Sequence, residues 1–96
     1  MVDYKLSEDA AKSLSGIYEY SLINFGEQKA DEYYLSLHNA FELLAEQPNL
    51  GRVFHEFRRH EHGQHVFFYR EIGYGILMLH IFHQKENIEN IENKIQ

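Results

Sequence analysis

The chain has 96 residues and a formal net charge of −6 at pH 7, and it contains no cysteine. This length suits one hydrophobic core, so we expect a single domain over residues 1–96. The acidic balance argues against simple attraction to nucleic acid or an anionic membrane, and the lack of cysteine excludes disulfides and thiolate chemistry. The N-terminus has no apolar signal core and no apolar run could span a bilayer, which predicts a cytoplasmic protein without a membrane partner.

The charge is unevenly distributed. Residues 1–51 hold three Lys against nine acids, a net −6, whereas residues 52–85 hold five cations against three acids, a net +2. All four Arg and six of the seven His lie in this second part. It is therefore a candidate surface for an anionic partner; the alternative is the solvated basic face of a sheet.

The first half of the chain predicts a strand and two helices. Asp3–Leu6 alternates polar and apolar residues as a strand does, and Ser7 occupies the position of a helix N-cap. One helix is expected from there to Gly26 and a second directly after it, so that the two form an antiparallel hairpin. Apolar spacings of three and four predict the buried faces, which are Ala11, Leu14, Tyr18, Leu22 and Phe25, widened by Ala10 and Ile17, on the first helix, and Ala30, Tyr34, Leu37, Phe41 and Leu44 on the second.

The second half predicts an antiparallel meander. Pro48 and Gly51 end the second helix, and the apolar pattern then changes to a period of two. We expect strands at 57–61, 64–71 and 76–83, joined by short turns. The last strand is apolar on both sides and should lie inside the sheet, with Leu79 in the core.

The tail adds a last element. Ile88, Ile91 and Ile95 have helical spacing and predict a short amphipathic helix. The order is then β-α-α-β-β-β-α, which is an α+β fold with a helical hairpin packed on a small antiparallel sheet. Such a packing usually leaves an outer groove in which a partner helix could lie.

Five segments resemble, in order and spacing, the ParE toxins of bacterial toxin–antitoxin pairs, within the RelE/ParE superfamily. The segments are 14–20 (LSGIYEY), Gly26, 48–52 (PNLGR), 62–70 (HGQHVFFYR) and 81–85 (IFHQK). The resemblance implies a RelE/ParE-like fold and a protein that is encoded with a small antitoxin, neutralised by it, and toxic when released. ParE members are associated with poisoning DNA gyrase, whereas RelE-like members cut messenger RNA on the ribosome.

Two features favour the ParE branch. RelE-like enzymes typically carry an Arg three residues before the tyrosine of the third strand; that tyrosine corresponds to Tyr69, and position 66 is Val. A ribosome-binding nuclease also gains from counterion release, which suits a basic protein better than one at −6. We therefore predict a toxin of a type II system that is not an enzyme, needs no cofactor and binds DNA gyrase directly.

The expected partners are DNA gyrase and a ParD-like antitoxin, the latter in a hetero-oligomer, with no sequence-specific binding of nucleic acid. One alternative is a RelE-like, ribosome-dependent ribonuclease that uses His83, Tyr69 and one of Arg58, Arg59 or Arg70. Another is an inactive toxin that only binds its antitoxin.

The candidate contact residues share one property, since all belong to the basic segment. The guanidinium fork of Arg pairs with carboxylates, so an acidic antitoxin segment or gyrase is the expected partner, and a weak surface ion pair with Glu56 or Glu71 is the alternative. His83 serves as an acid in the nuclease hypothesis and otherwise closes its strand. The candidates for binding target or antitoxin are Arg52, Arg58, Arg59, His65, Tyr69, Arg70, His83 and Lys85.

The histidines could also suggest a metal site. His60 and His62 share a strand face and His65 follows across a turn, so that Glu61 or Glu56 could complete a ligand set. Structural zinc sites usually include cysteine, and exposed histidines are common on strands. No metal site is therefore predicted.

Overall fold

The computed structural model describes residues 3–84, in which two helices pack on one face of a five-stranded sheet. The sheet order is β1-β5-β4-β3-β2, with β1 parallel to β5 and every other pair antiparallel. This confirms the predicted α+β class and the meander. The elements are β1 (Asp3–Leu6), α1 (Glu8–Phe25), α2 (Glu27–Glu46), a 3₁₀ turn (Pro48–Leu50), β2 (Arg52–Phe54), β3 (Phe57–His62), β4 (His65–Ile72) and β5 (Gly75–His83).

One strand was not expected, one expected position is confirmed, and one expected element lies outside the described residues. The sequence analysis did not predict β2, whose three residues are too few to show a period. The strand β5 lies inside the sheet as predicted, between β1 and β4. The predicted C-terminal helix and Lys85 lie outside the described residues.

Ser7 and Gly26 set the ends of α1. The Ser7 hydroxyl accepts a hydrogen bond from the Ala10 amide at 3.0 Å, as an N-cap does, and donates to the Leu79 carbonyl at 2.6 Å. It therefore ties the start of α1 to β5. Gly26 has a φ of +89°, which residues with a Cβ rarely adopt, and this lets α2 start directly after α1.

The main core lies between the helical hairpin and the sheet. Its largest buried side chains come from α2, β4 and β5, and the α2 face confirms the predicted pattern except that Tyr34 is exposed. The core includes Leu14, Leu37, Phe41, Leu44, Phe67, Tyr69, Ile76 and Met78.

The buried face of α1 includes the predicted Ala10, Leu14 and Ile17 but is rotated away from the other predicted residues. Leu22 and Phe25 are exposed, while Ser21, which is polar, is buried. Successive residues of an α-helix are about 100° apart around its axis. Most residues of the predicted stripe come one position after a residue of the observed row, so the observed face is turned by about this angle. The observed row is Ala10, Leu14, Ile17 and Ser21, of which Ile17 is half-buried.

A β-bulge in β5 explains a second error. Phe68 is opposite His80, and Tyr69 is opposite Met78, so that Leu79 has no partner on β4. The bulge reverses the alternation, and the core side chains of β5 are Ile76, Met78 and Ile81. Leu79 is only half-buried, and its predicted position in the core is wrong.

Candidate functional site

Tyr69 lies in the core and not on a contact surface. Its side chain has no exposed area, and its hydroxyl donates to the Pro48 carbonyl at 2.7 Å and accepts from the Gly51 amide at 2.9 Å. A Cβ at Gly51 would lie 2.2 Å from this hydroxyl, so the glycine is required for the contact. Burial raises the pKa of the Tyr69 phenol, which keeps it protonated. Tyr69 therefore supports the fold, contrary to its prediction as a binding residue.

Arg58 belongs to the same structural unit. It is opposite Tyr69 on the neighbouring strand, and its Nη1 donates to the Gly51 carbonyl at 2.9 Å. The side chain is half-buried. Its hydrogen bond holds the turn that follows α2, so Arg58 is a poor candidate for contact with a partner.

The other arginines lie on the sheet face opposite the helices. Phe67 and Tyr69 point into the main core, so Phe68 and Arg70 alternate to the other face. Arg59 is opposite Phe68, and Arg52 is opposite Arg59. We name the side chains of Arg52, Arg59 and Arg70 the arginine face.

Glu61 connects two members of the arginine face. It forms an ion pair with Arg52, and its Oε1 lies 3.2 Å from Arg59 Nε without the alignment of a hydrogen bond. Beside them, Val66 and Phe68 are buried in a second apolar cluster. Arg52 and Arg70 are exposed, and they are the arginines available to a partner.

A groove of about 880 Å³ runs between α1, α2 and the adjacent ends of β4 and β5. We name it the helix–sheet groove. Its apolar wall includes Ile17, Tyr20, Phe25 and Ile81, and Tyr20 is 63% exposed. Exposed aromatic surface of this kind is enriched in protein interfaces. The groove confirms the expectation of an open cleft beside the hairpin.

The other end of the groove is polar. Lys29 and Tyr33 of α2, His65 of β4 and His83 of β5 line it. The rings of His65 and His83 meet edge to face, with centroids 5.4 Å apart. The structure therefore brings two predicted site residues together, and it places both far from the arginine face.

Tyr33 holds the His65 ring in position. The Tyr33 Oη accepts from the Gln64 amide at 3.3 Å and lies 2.6 Å from His65 Nδ1, and its one proton can go to that nitrogen or to the His62 carbonyl at 3.5 Å. Nδ1 is therefore engaged by Tyr33 in either tautomer of the ring. Burial, with the nearby His83 and His62 as further causes, lowers the pKa of His65 to about 4.

His62 is engaged in a similar way. Its Nε2 lies 3.2 Å from the Ser36 hydroxyl, and burial lowers the pKa of its imidazole, with His60 as a second cause. Within residues 3–84, no three His, Asp or Glu side chains are grouped so that they could hold a metal ion. Neither helix of the described part is long and apolar enough to cross a membrane.

Lys29 and Tyr33 are groove residues that the sequence analysis did not identify. Lys29 is one of three lysines in an acidic half of the chain, and Tyr33 is adjacent to Tyr34, which better matched the apolar spacing. Only the packing of α2 against the β3–β4 turn distinguishes the two tyrosines. No local pattern signals this.

Comparison with known proteins identifies related sequences. A family model described as "ParE toxin of type II toxin-antitoxin system, parDE" matches residues 4–88. A protein of Caulobacter vibrioides named "Toxin ParE1" is 33% identical over 91 residues, which cover 91% of this chain and 94% of the relative. A "Toxin ParE1" of Mycobacterium tuberculosis is 29% identical over 91 residues, covering 90% and 93%.

The fold has a counterpart among solved structures. A chain from a structure titled "Chromosomal ParDE TA system from P. aeruginosa" superposes with a TM-score of 0.72. The match covers 86% of this chain and 96% of that chain, at 22% identity. At this identity the likeness concerns the fold.

Proposed function

Because the chain belongs to the ParE toxin family of type II toxin–antitoxin systems, we propose that it acts by binding DNA gyrase and is neutralised by a ParD-like antitoxin. The observation that carries the proposal is the family match over residues 4–88. The toxin works in the cytoplasm, where gyrase acts, and forms a hetero-oligomer with its antitoxin. Its action is binding and not catalysis.

The helix–sheet groove is the proposed antitoxin site. Tyr20 and Phe25 expose aromatic surface there, beside the half-buried Ile17. An amphipathic helix can fill such a groove with apolar side chains at spacings of three and four. The antitoxin adds apolar cover to this end of α1, which the described residues 3–84 leave exposed.

The arginine face is the proposed gyrase site. Arg52 and Arg70 are exposed on a face that the helices do not cover, and Arg is a frequent interface residue because its fork binds carboxylates and phosphates. The groove and this face lie on opposite sides of the sheet.

The geometry argues against the ribonuclease alternative. His65 and Tyr69 are four residues apart on β4, which is about 13 Å at a rise of about 3.3 Å per residue. His83 is opposite His65, so it is also about that far from Tyr69. The Tyr69 hydroxyl is moreover buried and occupied. A base and an acid must both reach one phosphate, and this pair does not.

Induced expression in bacteria tests the proposal. We expect growth arrest with ribosome-bound message intact, and recovery when the product of a neighbouring small reading frame is co-expressed and co-purifies. Co-purification without arrest would indicate a chain that only binds its antitoxin. Cleaved message with unaffected gyrase would overturn the proposed target.

A matched pair of variants tests the antitoxin site. Phe25→Ser removes an aromatic side chain from the groove, whereas Ile23→Ser changes an apolar residue of the same helix that is 83% exposed and does not line it. We expect the first variant to weaken the complex at least tenfold and the second to leave it unchanged. Equal affinities would place the antitoxin elsewhere.

A further inference from the structure

The polar end of the helix–sheet groove is lined, within residues 3–84, by cationic and imidazole side chains. Lys29, His65 and His83 line it, and no Asp or Glu is among the lining residues in the described part of the chain. The two helices that form one wall belong to a segment of net charge −6. Their acids lie outside the groove, so the local charge is opposite to that of the surrounding surface.

We propose that this end of the groove is a carboxylate-binding site, where a partner helix places an Asp or Glu beside Lys29 and His65 and His65 takes up a proton on binding. The inference rests on the proposed function, because the partner helix is that of the antitoxin. Its apolar side chains fill the wall formed by Ile17, Tyr20 and Phe25. The partner is thus an amphipathic helix with an acidic residue at one end of its apolar face.

The His65 ring is already oriented for this contact. Its Nδ1 is held by the Tyr33 hydroxyl at 2.6 Å, and Tyr33 is itself fixed by the Gln64 amide. Within residues 3–84, His65 Nε2 makes no hydrogen bond, so a protonated ring can donate from Nε2 to a ligand while its Nδ1 donates to the Tyr33 hydroxyl, whose own proton can turn to the His62 carbonyl 3.5 Å away. A carboxylate accepts such a donor, and Lys29 supplies a fixed positive charge nearby.

The neighbours of His65 determine the direction of the proton linkage. Within residues 3–84, the ionisable groups around the ring are Tyr20 from α1, Lys29 and Tyr33 from α2, His62 from β3 and His83 from β5. None of them is an acid that carries negative charge at neutral pH. The free protein therefore keeps His65 neutral, in agreement with its lowered pKa.

A bound carboxylate reverses this balance. An opposite charge in contact raises the pKa of an imidazole by about one to three units, so the complex binds more protons than its separate components. Affinity should consequently increase as the pH is lowered. A rise of the His65 pKa by two to three units from about 4 makes binding about two- to tenfold tighter at pH 6.0 than at pH 8.0.

Calorimetric titration of the toxin with its co-purifying antitoxin tests the inference. Measurements at pH 6.5 in PIPES and in ACES, which differ in ionisation enthalpy, give the number of protons taken up. We expect uptake of a fraction of a proton that is lost in His65→Gln. Lys29→Gln should weaken binding but retain the uptake. The control His55→Asn replaces another histidine, outside the groove, at a positive φ that Asn tolerates, and should behave as wild type.

Two outcomes would overturn the inference while the proposed function stands. One is tight antitoxin binding with no proton uptake and no effect of His65→Gln. The other is a concentration-dependent dimer of the free toxin that Lys29→Glu disrupts, which would make the groove an interface between two copies of this chain.

If no antitoxin binds, a small carboxylate ligand still tests the carboxylate-binding site independently of the proposed antitoxin. With histidine ¹⁵N labelling, 4-phenylbutyrate should raise the pKa of His65, and the uncharged 4-phenylbutyramide should not. If the pKa of His65 is the same with the charged and the uncharged fragment, the carboxylate-site proposal is wrong, whether or not an antitoxin binds.

Discussion

The hydroxyl of Tyr69 connects β4 to the segment that follows α2. It bonds to the Pro48 carbonyl and the Gly51 amide, so Tyr69→Phe leaves that buried amide without an acceptor. We expect a loss of about 1–3 kcal/mol in the free energy of unfolding. Urea denaturation measures it, with Tyr74→Phe, an exposed tyrosine in the β4–β5 turn, as the control. Equal midpoints for the two variants would contradict this role.

His65 should make the stability of the free protein depend on pH. Its pKa is about 4 in the folded state and about 6.5 in the unfolded state, which therefore binds more protons between these values. Stability is complete above pH 6.5 and decreases as the pH falls towards 4. The melting temperature should drop less between pH 7.0 and 5.0 in His65→Gln than in the wild type. Parallel curves would show that His65 does not contribute.

Single residues differed in how well sequence predicted them. Ser7 was identified as a cap because its residue type and its place before an acidic turn carry the information locally. Tyr69 could not be assigned, because its partners at Pro48 and Gly51 lie 18 to 21 residues away in the chain. A tyrosine in a strand has the same local pattern whether its hydroxyl is buried or exposed.

At the scale of elements, α2 is the helix whose packing is most clearly defined. Leu37 has no exposed surface, whereas Leu35 is 60% exposed on the same helix. Leu37→Ala should cost about 2–5 kcal/mol of unfolding free energy because it opens a cavity in the core. Leu35→Ala removes the same atoms from the surface and should cost less than about 1 kcal/mol. Similar melting temperatures would mean that the wrong face of α2 is assigned to the core.

The errors in the predicted elements concern the rotation of α1 about its axis and the register of β5 against β4. The apolar residues of α1 are numerous on two adjacent rows, so spacing alone selected the row with Leu22 and Phe25, whose side chains are exposed instead. In β5 the bulge at Leu79 adds one residue and exchanges the two faces beyond it. Both features depend on contacts with other elements. The pattern of a single segment therefore cannot determine them.

At the scale of the whole molecule, the two proposed binding sites are separated by the sheet. The groove lies on the helix side and the arginine face on the other, so an antitoxin in the groove would leave Arg52 and Arg70 uncovered unless a second segment crosses the sheet edge. The charge difference between the halves of the sequence predicted a basic surface. It did not predict that Arg58 would lie in the core-facing layer or that Arg52 and Arg59 would share Glu61.

The arginine face can be tested by charge reversal. The double variant Arg52→Glu and Arg70→Glu changes two exposed side chains, so it should fold as the wild type does. We expect it to require at least tenfold more protein for the same inhibition of gyrase. The control Lys12→Glu reverses a charge on the exposed face of α1, on the other side of the molecule. An equal effect of both changes would indicate a general response to net charge.

A supercoiling assay with purified gyrase, relaxed plasmid and the purified toxin tests the central proposal most directly. The account predicts that the toxin inhibits supercoiling or traps cleaved DNA, and that prior addition of the antitoxin abolishes the effect. If gyrase is unaffected at toxin concentrations that stop growth in cells, the assignment of gyrase as the target is wrong.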